Sequence, residues 1–172
     1  MRFSSAPIVK FGSHLPVLIK VLSLTETESP ALEFGMGFNS SPVMHWMCAS
    51  KKQMLVSYEN HIEFFGKPFE AGRYEWDFHK VIYVDDWDKA EIEKPWGMVL
   101  IDHDPGERRV VDIRRLANYA KYLVIHDSQM RINKILHYRD IFPLFKWQYN
   151  YTDYMPHTTV LSNFVDLSNF HI

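Results

Sequence analysis

Five short apolar runs recur along the chain: Ala31 to Phe34, Met54 to Tyr58, Val81 to Val84, Met98 to Ile101 and Tyr122 to Ile125. Runs of this length, apolar on both faces, predict buried parallel strands. The segments between them have helical character. Ser13 predicts the cap of a helix carrying Leu15, Leu18, Ile19 and Leu22, with Pro16 in its first turn. Ser41 predicts the cap of a second, with Pro42 at its first position and Val43, Trp46 and Met47 facing inward. The third runs from Glu107 to Tyr119. Val110, Ile113, Ala117 and Ala120 form its apolar stripe, and Arg108, Asp112 and Arg115 its solvated side. Strands alternating with helices predict a doubly wound α/β sheet. The end of the chain departs from this rhythm. Phe145 to Tyr151 and Thr158 to Leu167 are strand-like and joined by a turn with Asp153 and Pro156, which predicts an antiparallel hairpin.

Composition narrows the class. The 172 residues suit one domain: an N-terminal helical segment (1–29), a βα core (30–128) and a hairpin region (129–172). Aromatic residues at 15% and charged residues at 23% exclude a disordered chain. Cys48 is the only cysteine, so no intrachain disulfide can form. The net charge of −2, a short basic cluster (Arg108, Arg109, Arg114, Arg115) interrupted by Asp112, and the lack of room for a recognition domain all point away from nucleic acid. No apolar run approaches the ~20 residues of a membrane span, and Met1 to Lys10 lacks a signal-peptide core. The expectations are a cytoplasmic location, no membrane, no nucleic acid, and a small-molecule or glycan partner. A homodimer that completes the substrate cleft is a further expectation.

Candidate chemistry collects at the ends of the apolar runs: Glu33 with a glycine loop, Glu59, Asp85-Asp86, Asp102, and His126-Asp127. Ligands of open α/β sheets bind at this rim. Gly35 and Gly37 allow a tight turn and close approach to a ligand. A dinucleotide loop wants a third glycine or alanine where Ser40 stands, and no acid where a pyrophosphate sits. Glu33 instead suits a ligand with a positive amino group, which tilts the reading from NAD to S-adenosylmethionine. Glu59, about twenty residues on, is placed to accept hydrogen bonds from ribose hydroxyls. An NAD-dependent oxidoreductase and a non-catalytic nucleoside-binding domain stand as alternatives.

Leu32-Glu33-Phe34-Gly35-Met36-Gly37, Val56-Ser57-Tyr58-Glu59, Val81-Ile82-Tyr83-Val84-Asp85-Asp86-Trp87 and Leu100-Ile101-Asp102-His103 resemble the successive motifs of class I S-adenosylmethionine-dependent methyltransferases. The resemblance covers roughly residues 30 to 165. It implies a Rossmann-like seven-stranded sheet of order 3-2-1-4-5-7-6, the last strand antiparallel, with helices on both faces. It also implies cofactor contacts from Glu33, Gly35, Gly37, Asn39, Ser40, Glu59 and Asp102, an adenine-side residue at Asp85 or Asp86, and Trp87 as a stacking surface. The stretch from Asp102 to Arg109, with His126-Asp127, is similar in placement to the O-methyltransferases that bind magnesium. That implies Asp102 and Asp127 as Mg²⁺ ligands, although His126 departs from the pattern because a hard cation prefers oxygen. Deprotonating a hydroxyl acceptor requires a base or a metal. The candidates are His126 or His103 as base and Asp102 as the orienting group, with His14, Arg108 and Asp127 facing the acceptor. Asp102-His103-Asp104-Pro105-Gly106 lacks the aromatic that stacks on a planar amine in N-methyltransferases. The expected activity is therefore O-methylation of a sugar or other small hydroxylated molecule.

Overall fold

The computed structural model describes residues 12–67 and 69–172; the expectation concerning Met1 to Lys10 lies outside them. Seven strands form one sheet in the order β3-β2-β1-β4-β5-β7-β6. They are β1 (Ala31–Phe34), β2 (Leu55–Glu59), β3 (His79–Tyr83), β4 (Trp96–Ile101), β5 (Ala120–His126), β6 (Trp147–Tyr151) and β7 (Thr158–Ser162). The first five are mutually parallel, and β7 lies antiparallel between β5 and β6. This is the expected sheet, with its hairpin reversed at one edge. The described residues include four α-helices: α1 (Leu15–Leu24), α2 (Ser40–Lys51), α3 (Arg109–Leu116) and α4 (Met130–Ile135). Among the described residues, no helix is long and apolar enough to cross a membrane.

Alternation along the strands builds a core on each face. Ala31, Leu55, Met98, Leu100, Tyr122 and Val124 pack with α1 and α2 through Val17, Leu18, Val21, Met44 and Cys48. Leu32, Phe34, Val99, Ile101, Leu123 and Ile125 pack on the opposite face with Ile113, Leu116 and Tyr138. Among the described residues, the β2–β3 and β3–β4 connections carry only 3-10 turns, while β1–β2 and β4–β5 are crossed by α2 and α3.

The helices differ from expectation in their details. Neither Ser13 nor Ser41 caps. His14 and Asn39 hold the cap positions, without side-chain cap bonds, while both serine hydroxyls are drawn into longer-range bonds. Trp46 points outward, 69% exposed, and His45 is buried in its stead. Helix α3 is shorter than its apolar stripe suggested. Asp112 is not solvated: it is fully buried, and accepts from His103 Nε2 at 3.0 Å, Arg108 Nε at 2.9 Å and Arg115 Nη1 at 3.0 Å. Charges spaced by three and four along this helix converge on one buried carboxylate.

Candidate active site

The glycine loop follows β1. Gly35 has φ +93°, and a Cβ there would stand 2.5 Å from His103 Cα and 2.6 Å from His103 N. Its bareness lets the ends of β1 and β4 close together. Gly37 serves a different need. A Cβ there would meet only Ser40 Oγ, at 3.2 Å, and Gly37 lines a cavity of about 430 Å³ with Gly12, His14, Asn39, Ser40, Asp102, His126 and Pro156 among its walls. A second cavity of about 220 Å³ lies among Gly35, Met36, Glu59, His61, Phe64 and Asp102. Asp102 lines both.

Glu33 does not reach either cavity. It is fully buried and accepts from Ser41 Oγ at 2.8 Å and Ser57 Oγ at 2.7 Å. Ser41 in turn accepts from the Gly37 amide at 3.0 Å. On its other side Ser57 lies 2.8 Å from His79 Nε2, and His79 Nδ1 lies 3.0 Å from His45 Nδ1. The carboxylate thus shapes the loop from behind rather than meeting a ligand amine. Burial pushes Glu33 up to about 7 against the pull of the serine hydroxyls. Burial also lowers His79 to about 3, so its ring is neutral. An unfolded Glu33 titrates near 4.5. Its ionisation therefore penalises the native state increasingly from pH 4.5 to 7, by about 3 kcal/mol in full. The unfolding free energy of Glu33→Gln, relative to wild type, is expected to rise by that amount over this interval in urea titrations. A difference independent of pH would mean an unperturbed carboxyl.

Glu59 is buried beside the second cavity. Its Oε2 accepts from Met36 N at 2.7 Å, and Oε1 from Asn60 N and His61 N at 2.9 and 2.8 Å. Asp85 and Asp86 lie outside both cavities. The first pairs with Lys89, and the second accepts from Asp88 N. Trp87 is not a stacking surface: it is 3% exposed, packs on Phe34 and His103, and donates to the Asp104 carbonyl at 2.8 Å.

Parity decides between the two candidate bases. Ile101 pairs with Ile125 across β4 and β5, so Asp102 and His126 follow side by side on the α1–α2 face. His103, one residue later, falls on the opposite face. There its ring is buried against Asp112 and cannot reach the larger cavity. Arg108 is also withdrawn, tied to Asp112 and to Asp88 at 2.7 Å. Neither is placed to meet an acceptor.

At the cavity, His126 Nδ1 lies 3.2 Å from both oxygens of Asp102. Ser13 Oγ donates to the Pro156 carbonyl at 2.7 Å. Its oxygen is left to accept from His126 Nε2–H at 3.1 Å. Nδ1 faces a carboxylate that can only accept, and Nε2 faces a hydroxyl already donating to Pro156. Both ring nitrogens are therefore placed to donate, and the contacts favour the imidazolium. In the neutral ring Ser13 favours the proton on Nε2. Burial works to lower the His126 pKa. The hydrogen bond to Asp102 and the charges of Asp102 and Asp127 outweigh it, and the imidazole is held above its ordinary value. His14 stands edge-on to this ring at 4.5 Å. Burial, then the neighbouring His126, lowers His14 to about 4.

A magnesium ion between Asp102 and Asp127 does not fit. Arg109 already occupies that place, with Nη2 at 3.1 Å from Asp102 Oδ1 and Nη1 at 3.4 Å from Asp127 Oδ2. Its Nε donates to the His103 carbonyl at 2.6 Å. The guanidinium takes the Asp102 and Asp127 oxygens that an ion between the two carboxylates would need. Ser13, Pro156 and Phe64 are residues at these cavities that sequence reasoning missed. Arg109, an Arg-Arg candidate for an anionic acceptor, instead holds the chain's own carboxylates.

This architecture is the fold of class I S-adenosylmethionine-dependent methyltransferases. An rRNA methylase from Streptococcus thermophilus superposes with TM-score 0.63 at 11% identity, over 91% of this chain and 99% of that one. A methyltransferase from Pyrococcus furiosus gives 0.59 at 11% identity, over 91% and 85%. A caffeoyl-CoA O-methyltransferase-like protein from Staphylococcus aureus gives 0.59 at 11%, over 90% and 84%. No protein-family model and no curated protein matches the sequence. These likenesses correct one expectation. The fold is shared with an rRNA methylase and with a chain of an RNA repair complex (TM-score 0.55, 12% identity, 90% of this chain and 42% of that one). A net charge of −2 therefore does not exclude nucleic acid as a partner.

Proposed function

We propose that the chain is an S-adenosylmethionine-dependent methyltransferase acting on a hydroxyl oxygen, such as that of a sugar, with the cofactor along the glycine loop and the acceptor over Asp102 and His126. The observation that carries this reading is that Asp102 lines both cavities, the one beside the glycine loop and His126 and the one beside Glu59. The loop and Glu59 suit the cofactor. Gly37 leaves the wall open, and the Glu59 carboxylate keeps acceptor sites beyond its three backbone bonds for ribose hydroxyls. Phe64 supplies at the second cavity the aromatic surface that Trp87 cannot. When bound, the cofactor supplies a methyl group already activated by its sulfonium.

The chain's own tasks are alignment and removal of the acceptor's proton. In the neutral form of the ring, which gains population as pH rises, an acceptor hydroxyl hydrogen-bonded to Asp102 stands beside an unprotonated Nδ1 of His126. The proton passes to Nδ1 as the oxygen takes the methyl group, and the resulting imidazolium is held by Asp102. Ser13 and Pro156 keep the ring in the tautomer this requires. The sulfonium's loss of charge and the imidazolium's gain balance within one cleft.

Calorimetry with S-adenosylhomocysteine and with NAD tests the foundation. Binding of the first alone is expected; binding of neither ends the enzyme reading, and binding of NAD alone favours the oxidoreductase. Glu59→Gln removes the charge that meets the ribose. It is expected to weaken S-adenosylhomocysteine by about tenfold or more, since hydrogen bonds to charged groups contribute about 1.5–3 kcal/mol. Unchanged affinity would remove Glu59 from the cofactor site. A methyl-transfer screen over sugars, phenols and RNA, with and without EDTA, then identifies the acceptor.

A further inference from the structure

We propose that His14, Asp102 and His126 form a binding site for a divalent transition-metal ion at the inner end of the larger cavity. One ligand atom from each lies within 4.8 Å of the other two. The separation of His126 Nδ1 from the Asp102 oxygens, 3.2 Å, is close to that of two ligands bonded at about 2.0–2.2 Å to a shared ion.

Two further observations point to a ligand. His14 is 4% exposed, lines the cavity, and has no hydrogen-bond partner at either ring nitrogen among the described residues. Two unpartnered nitrogens in a buried imidazole are costly. A metal bond removes that cost, and no hydrogen bond opposes the small ring rotation that closes the site. The other observation is the Ser13–Pro156 relay behind His126. Metal-bound histidines almost always donate their second ring N–H to a fixed acceptor, which sets the tautomer and aims the free nitrogen at the ion. Here Nε2–H donates to Ser13, and Ser13 to the Pro156 carbonyl, leaving Nδ1 aimed at Asp102.

Two imidazoles and one carboxylate select a borderline ion such as Zn²⁺, Co²⁺ or Fe²⁺ over Mg²⁺. Arg109 holds Asp102 Oδ1 and leaves Oδ2 for the ion. Asp102 and Asp127 give this corner two negative charges against the one positive charge of Arg109. With the ion bound, His126 Nδ1 is a ligand and no longer receives the acceptor's proton. A bound ion would supply Lewis acidity toward an acceptor hydroxyl in place of the base. This role in transfer rests on the reading of the cavity as the acceptor site; the metal binding does not.

The test is Co²⁺ titration of EDTA-stripped protein, followed by visible absorption, with Zn²⁺ as competitor. One equivalent is expected to bind, with a d–d spectrum that Zn²⁺ abolishes. His14→Ala and Asp102→Asn should each weaken binding by roughly a hundredfold or more, while Asp127→Asn leaves it within about threefold. Thermal unfolding certifies each variant as folded. Absence of saturable Co²⁺ binding by the wild type overturns the proposal, as does a folded His14→Ala protein of unchanged affinity. Should His14→Ala fail to fold, Asp127→Asn decides: loss of binding there would move the ion to the carboxylate pair and overturn the site. Calorimetry with S-adenosylhomocysteine, run on the same stripped protein, reports separately on the methyltransferase reading.

Discussion

His126→Ala is expected to lower methyl-transfer turnover by roughly 10²–10⁴-fold, the span of a lost general base, while S-adenosylhomocysteine affinity stays within about twofold. The separation follows from what the ring touches. Its partners are Ser13, Asp102 and His14, and neither the glycine loop nor Glu59 depends on it. Asp102→Asn should behave differently, weakening both cofactor binding and turnover, because Asp102 lines both cavities. Single-turnover kinetics with calorimetry on each variant separates the two patterns. Equal loss of turnover and cofactor affinity in His126→Ala would make the ring a structural element and leave the acceptor side without its base.

Gly35→Ala is expected to cost about 4 kcal/mol or more of stability, a value reached only by a few mechanisms. Two of them act together here. The backbone at φ +93° is disfavoured for any residue with a Cβ. The added carbon would also stand 2.5–2.9 Å from the His103 and Asp102 backbone, which cannot swing aside as a side chain would. Relief requires the ends of β1 and β4 to part, and with them the bond from Asp102 N to the Phe34 carbonyl, 2.9 Å. A fall in the thermal midpoint of about 10 °C corresponds to this loss for a domain of this size. Gly37→Ala is the matched comparison. Its Cβ meets only the flexible Ser40 hydroxyl, so stability should hold within about 1 kcal/mol while cofactor affinity drops. Equal stability losses in the two variants would dissolve the distinction between a glycine required by packing and one required by a ligand.

The sheet was legible in the sequence because each parallel strand carries a short run rich in apolar residues, and because acids recur where the runs stop. The hairpin was legible from its turn. Site assignments fared less evenly, for a physical reason. Residues adjacent in sequence at a strand end project to opposite faces, so Asp102 and His103 part company while Asp102 and His126, distant in sequence, meet. Counting alternation from Phe34, Ile101 and Ile125 would have separated them. Glu33 lies on the α1–α2 face, but the serines around it were invisible as partners because Ser41 looked like a helix cap. Trp87 and Arg108 misled because aromatic and cationic side chains near a rim can turn inward. The role of Arg109 emerged only from the fold, since nothing in an Arg-Arg pair distinguishes the side chain that enters a carboxylate cluster from the one that braces a helix.

The bond from Ser13 to the Pro156 carbonyl spans 143 positions of the chain. The sheet can order from the middle outward through its parallel pairs, yet the imidazole is not poised until both flanks have arrived. Closure of this clasp is thus expected late in folding, because a contact so distant in sequence carries a large loop-closure cost. In refolding experiments, recovery of turnover is expected to trail recovery of helical circular dichroism, and simultaneous recovery would show that the clasp forms with the core.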